Sequence, residues 1–156
     1  MSPIFIDTWA WVALGDARDS GHQAAIAADD WIHDQGLVMV TSDFILDETI
    51  TGIHAGAGAR AASAFIDMLE AQIAADELML LPVSVARRRE GLSWFKRLAR
   101  DTPKLSFTDC TSFALMDELG IKLAFTADGH FAKAKSTQRL IHVEKDRLVF
   151  RAPVGY

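Results

Sequence analysis

Four positions in this chain place a carboxylate where chemistry is possible. Asp7 directly follows the apolar run "PIFI", and Asp128 stands two residues past "IKLAFT". Glu48 lies about two helical turns beyond "LVMVT", beside Asp47, an equal candidate by type, and Asp109 opens the segment after "LSF". A carboxylate ending a buried strand costs free energy unless a helix start, a basic partner or a metal ion compensates it. Several carboxylates at one place repel one another, and without a counter-charge some would have to be protonated. A hard divalent cation, Mg²⁺ or Mn²⁺, resolves the conflict, because it takes oxygen ligands and keeps positions for water and phosphate oxygens. The chemistry of such a site is hydrolytic, with the attacking and leaving oxygens of a phosphodiester both stabilised.

Each acid also has an ordinary explanation. Asp109 stands three residues after Ser106 and completes a capping box; Asp128 precedes Gly129 and suits a turn. Glu48 is acceptable as a solvated helix residue, and Asp7 as the cap of a helix beginning at Thr8. What tips the balance is a shared location. Thr8 and Thr126 flank that location and suit either the orientation of a carboxylate or plain helix-start and strand-end roles.

The shared location follows from the order of elements. "PIFI" reads as a strand, "DTWAWVALGD" as a helical turn leading to a loop at Gly15, and "GHQAAIAADDWIHDQG" as a helix stopped by Gly36. "LVMVT" is a continuous β-branched run, typical of a strand buried on both faces. "SDFILDETITGIHAG" opens with Ser42 as N-cap and loses its helical pattern at the glycines, and "ARAASAFIDMLEAQIA" resumes it. "LMLLPV" is a third strand, "VARRREGLSWFKRLARD" a helix, "SFTDCTSFALMDELG" a helix ending at Gly120, and "IKLAFT" a fourth strand. "ADGHFAKA" is a loop entering a short helix, and "LIHVEKDRLVF" a last strand or an edge hairpin. This alternation predicts one α/β domain over residues 1–156, with a mostly parallel central sheet of four to five strands flanked by helices. In such sheets the binding crevice lies beyond the carboxyl ends of the strands.

Composition narrows the class. At 156 residues, half of them hydrophobic, the chain can bury one core. No apolar run is long enough to span a bilayer and no signal-peptide pattern opens the sequence, so a cytoplasmic protein is expected. Cys110, the single cysteine, reads as a small core residue. Histidines 22, 33, 54, 130 and 142 show no close ligand spacing, which argues against zinc. Trp9 and Trp11 lie about 200° apart on a helix, so only one can face the core. The net charge of −5 is unevenly spread, for Arg87, Arg88, Arg89, Lys96, Arg97, Arg100 and Lys104 face only Glu90 and Asp101 in their segment. That segment is either a solvated helix, with Val85, Leu92, Phe95 and Ala99 turned inward, or a phosphate-binding face.

At the acidic residues the sequence resembles the PIN-domain ribonucleases, and among them the VapC-type toxins of toxin–antitoxin pairs. The resemblance rests on "FIDTWAWVAL", "TSDFILDETIT" and "LSFTDCTSFALMDELGIKLAFTADGHF". It implies that Asp7, Glu48, Asp109 and Asp128 bind Mg²⁺ or Mn²⁺ and cleave RNA, and it selects Glu48 over Asp47. It further implies a homodimer and a small cognate antitoxin. Gly129 departs from the larger, often basic residue of relatives, which bears on local phosphate contacts. The resemblance assigns His130 no catalytic role, and packing beside Phe131 is the expectation for it. The alternative from another class is a non-catalytic RNA- or protein-binding module of the same fold. A phosphatase using Asp7 as nucleophile would need a second acid two residues on, where Trp9 stands, and a receiver-like acidic pair and lysine are not found.

Overall fold

The computed structural model describes residues 2–127, 130–131, 139–144 and 147–151, the last two stretches as backbone only. Its centre is β1 (Pro3–Ile6), whose Ile4, Phe5 and Ile6 are fully buried. On one side β1 pairs in parallel with β2 (Val38–Ser42), which pairs in parallel with β3 (Leu78–Leu81). On the other side it pairs in parallel with β4 (Leu123–Phe125), followed by β5 (Arg139–Glu144). The closing segment is a hairpin, with β6 (Arg147–Arg151) antiparallel to β5 at the edge. The order is therefore β3-β2-β1-β4-β5-β6, six strands where four to five were expected. The extra strand comes from "LIHVEKDRLVF" folding back on itself.

Among the described residues five α-helices connect these strands: α1 (Thr8–Gly15), α2 (His22–Asp34), α3 (Asp43–Ala74), α4 (Val85–Leu98) and α5 (Phe107–Glu118). The right-handed crossover rule puts α1–α3 on one face and α4–α5 on the other, because the chain reverses direction across the sheet after β3. No helix among the described residues is long and apolar enough to cross a membrane.

Two glycines shape the helical layers. Gly58 interrupts α3 with φ +88° and ψ 174°, a conformation that favours glycine. The break folds the second half of α3 back, so that Ile53 and Phe65 both border Gly15. The loss of helical pattern expected at the glycines is this bend. Gly91 acts through size: a Cβ there would sit 3.0 Å from Thr111 Cγ2 and 3.3 Å from Phe107, so α4 lies close upon α5.

That close contact overturns one expectation. The buried residues of α4 are Gly91 and Trp94, with Trp94 edge-on to Phe113, whereas Val85, Leu92 and Phe95 are 53%, 48% and 37% exposed. The helix turns Gly91 and Trp94 inward, and Val85, Leu92 and Phe95 of the predicted stripe face outward among Arg88, Arg89 and Lys96, whereas Ala99 packs partly against the core. Of Trp9 and Trp11, Trp11 is the one enclosed in the core: it donates to Thr41 Oγ1 at 3.2 Å and packs on Phe65. Trp9 is half-buried, edge-on to Phe125.

Candidate active site

The strand order reverses between β1 and β4, which makes their carboxyl ends the switch point of the sheet. Asp7 sits there, 5% exposed, and its amide donates to the Phe125 carbonyl at 3.1 Å, extending the β1–β4 ladder by one bond. Asp7 occupies the N-cap position of α1, yet its side chain makes no cap bond. Instead Oδ2 accepts the Thr126 hydroxyl at 2.7 Å. The ordinary reading of Asp7 as a helix cap therefore fails, and a hydroxyl from the neighbouring strand end orients its carboxylate.

The adjacent Thr8 reaches the other way and donates to Glu48 Oε2 at 2.9 Å. Glu48 is exposed on α3, where Ser42 caps the helix through Ile45 N at 3.3 Å. Glu48 also lines a groove of about 370 Å³ with Asp43, Phe44, Asp47 and Thr108. Thr108 precedes Asp109, so the groove runs from α3 to the start of α5. Phe44 of this lining stands edge-on to Phe107 of α5, with centroids 6.2 Å apart.

Asp109 is 8% exposed. Its capping box with Ser106 is complete, the Asp109 amide donating to Ser106 Oγ at 2.9 Å and the Ser106 amide to Asp109 Oδ2 at 3.1 Å. The ordinary reading of this acid is thus correct as far as it goes. His130 adds what it omits: Nδ1 lies 3.0 Å from the same Oδ2, within hydrogen-bond distance. The expectation that His130 merely packs beside Phe131 is corrected. Phe131 is the packing residue, fully buried and against both Phe5 and Phe113. Next to Asp109, burial and then the aspartate's negative charge push the Cys110 thiol up to about 11. Cys110 is buried, as expected of a core residue.

The structure thus joins Asp7, Thr126, Thr8 and Glu48 in one chain of residues, and ties Asp109 to Ser106 and His130. Asp128, the fourth predicted acid, and the neighbouring Gly129 lie outside the described residues. Among the described residues no group of three His, Cys, Asp or Glu side chains is close enough to hold a metal ion. The donors at the rim are nevertheless of one chemical kind, carboxylate oxygens, which is the set that a hard divalent cation takes.

The basic segment divides in two. Arg87 is spent on structure, its Nε 2.7 Å from Glu118 Oε2 and its Nη1 2.7 Å from the Pro82 carbonyl. Since Arg87 meets the end of α5 while Gly91 meets Phe107 and Thr111 near its start, α4 runs antiparallel to α5. The C-terminal part of the segment, with Lys96, Arg97 and Arg100, therefore lies toward the end of α5 that carries Asp109. Arg97 stacks over Trp94, 4.2 Å from the ring centroid.

Residues 4–136 match the PIN domain family. The chain is 35% identical over 131 residues to the 23S rRNA-specific endonuclease VapC20 of Mycobacterium tuberculosis, covering 84% of this chain and 93% of that protein. Its fold superposes on the crystal structure of M. tuberculosis VapC20, described as a sarcin–ricin loop cleaving toxin, with a TM-score of 0.69 at 33% identity, over 85% of this chain and 95% of that one. The structure of VapBC2 from Rickettsia felis bound to a promoter DNA fragment shares the fold alone, with a TM-score of 0.68 at 10% identity, over 91% and 99% of the two chains. With the family matched over most of its length, and with an acid at the end of the central strand where the fold places its crevice, this chain belongs to the PIN-domain family.

Proposed function

We propose that this protein is a metal-dependent endoribonuclease that hydrolyses RNA phosphodiester bonds as the toxin of a toxin–antitoxin pair. The observation that carries the reading is Asp7, buried at the switch point of the sheet and oriented by Thr126 rather than used as a helix cap. Extensive similarity to an rRNA-specific endonuclease supports the reaction class.

In this reading Asp7, Glu48, Asp109 and Asp128 hold Mg²⁺, or Mn²⁺ in its place. When bound, the cation supplies Lewis-acid stabilisation of charge at the phosphodiester. The protein's own part is positional: Thr126 and Thr8 fix the directions of the Asp7 and Glu48 carboxylates, and the groove between α3 and α5 admits the RNA strand. Lys96, Arg97, Arg100 and Lys104 hold its phosphates, a role that makes binding sensitive to salt. The same reading makes the protein a cytoplasmic homodimer with a small antitoxin whose Arg or Lys quenches the acids.

The test is cleavage of a structured RNA pool with Mg²⁺, Mn²⁺ or EDTA, beside Asp7→Asn. Cleavage should require metal and fall by about 10³-fold in the variant, since several kcal/mol of charge stabilisation are removed. Metal-independent cleavage, or equal activity of the two proteins, would refute the assignment. Wild-type protein that binds RNA and never cuts it would favour the non-catalytic module.

A further inference from the structure

His130 contacts an acid of the site from a turn that also locks the two elements bearing Asp7 and Asp109. Its neighbour Phe131 is fully buried, 6.0 Å from Phe5 and 5.1 Å from Phe113 between ring centroids. Phe5 stands two residues before Asp7 on β1, and Phe113 stands one helical turn after Asp109 on α5. The aromatic wedge thus fixes the backbone from which the imidazole reaches Asp109.

At the far end of that reach, Asp109 Oδ2 meets two donors of different origin, the Ser106 amide at 3.1 Å and His130 Nδ1 at 3.0 Å. The amide belongs to the helix start and moves with α5. The imidazole comes from beyond β4, so it ties the carboxylate to an element outside α5. Two donors on one oxygen set the plane of the carboxylate and hence the direction of Oδ1. The bond needs Nδ1–H, which the imidazolium and one neutral tautomer both carry.

From this geometry we infer that His130 is a positioning residue, which fixes the Asp109 carboxylate through Nδ1–H so that it presents to the divalent cation in one orientation. The inference rests on the proposed metal site. Outer partners of ligating carboxylates act in this way, and their loss typically weakens metal affinity or activity about 10- to 100-fold.

The test compares His130→Asn, which keeps a donor near the Nδ1 position, with His130→Phe, which keeps the ring and removes the donor. Each is measured for Mn²⁺ affinity by calorimetry, for kcat and KM on RNA, and for thermal melting. In His130→Phe the Mn²⁺ dissociation constant should rise about 10- to 100-fold and kcat should fall, with KM for RNA nearly unchanged. His130→Asn should recover most of both losses at a similar melting temperature. Equal behaviour of the two variants, whether both intact or both impaired, would overturn the role of the donor while the metal site stands. A wild-type protein that neither binds Mn²⁺ nor cleaves RNA would overturn the metal site itself, and this inference with it.

Discussion

The two ends of the central sheet handle charge differently. At the amino end, Asp29, His33 and Glu77 form an ion cluster, with His33 Nδ1 3.6 Å from Asp29 Oδ1 and Nε2 3.5 Å from Glu77 Oε2. Beside it lies an apolar hollow of about 380 Å³, lined by Pro3, Val38, Val40, Met79, Leu119 and Ile121. At the carboxyl end, Asp7 and Glu48 receive hydroxyls from Thr126 and Thr8. An opposite charge neutralises a carboxylate, whereas a hydroxyl dipole orients it and leaves its net charge in place. The first arrangement suits a structural role, and the second, at Asp7 and Glu48, suits attraction of a cation; Asp109 stands between the two, for it carries a histidine contact of its own, His130 Nδ1 at 3.0 Å.

The contrast is sharpest at Thr126. Replacing it by Val removes the donor to Asp7 and little volume, so RNA cleavage should fall about 10- to 100-fold, while folding stability drops by only about 1 kcal/mol. A kinetic assay beside a denaturant melt separates the two; unchanged cleavage would mean that Asp7 needs no orientation. A smaller effect is expected from joint charge reversal at Arg97 and Arg100. RNA affinity should weaken, and the slope of log affinity against log salt should become shallower by about two, as filter binding over a salt series would show. An unaltered slope would remove this part of α4 from the RNA path.

The smallest effect belongs to the amino end and concerns stability alone. A hydrogen bond to the Asp29 backbone, together with the Asp29 and Glu77 charges, raises the pKa of His33 above its ordinary 6.5. The folded protein then binds that proton more tightly than the unfolded chain. The stabilisation is complete below pH 6.5 and is lost as pH rises through the folded value. Burial raises Asp29 as well, from an ordinary value of 3.8, but that group responds in the acid range. Melting temperature should therefore fall slightly from pH 6 to pH 8, and His33→Gln should flatten that decline without touching cleavage. A change in cleavage would couple the two ends.

The strand-then-acid pattern at Asp7 and the Ser106–Asp109 capping box were legible in the sequence because each is local, needing only a few neighbouring residues. The facing of α4 was not. Val85, Leu92 and Phe95 keep helical spacing whichever way the helix turns, and Gly91 decides the matter only once Thr111 and Phe107 are opposite it. His130 was misread for a related reason. Its partner Asp109 is 21 residues away and is brought near by the fold, so no local pattern reports it. Glu48 and Asp47 are alike in type and adjacent in sequence, so spacing leaves them equal; the family resemblance selects Glu48, and the hydrogen bond from Thr8 gives a physical distinction in three dimensions.

The central position of β1 has a consequence for the order in which the protein is made. Its partner β2 follows soon in the chain, but Phe125 and Thr126, which bond to Asp7, come from the opposite end, the latter 119 residues later. A growing polypeptide can pair β1, β2 and β3 and still lack Thr126, Phe131 and His130. Distant pairings of this kind form late, because loop closure must precede them. Synthesis therefore reaches the partners that complete the acidic rim long after β1 has been made, and a protein that cuts RNA would gain that ability only once Thr126 and His130 have joined the fold.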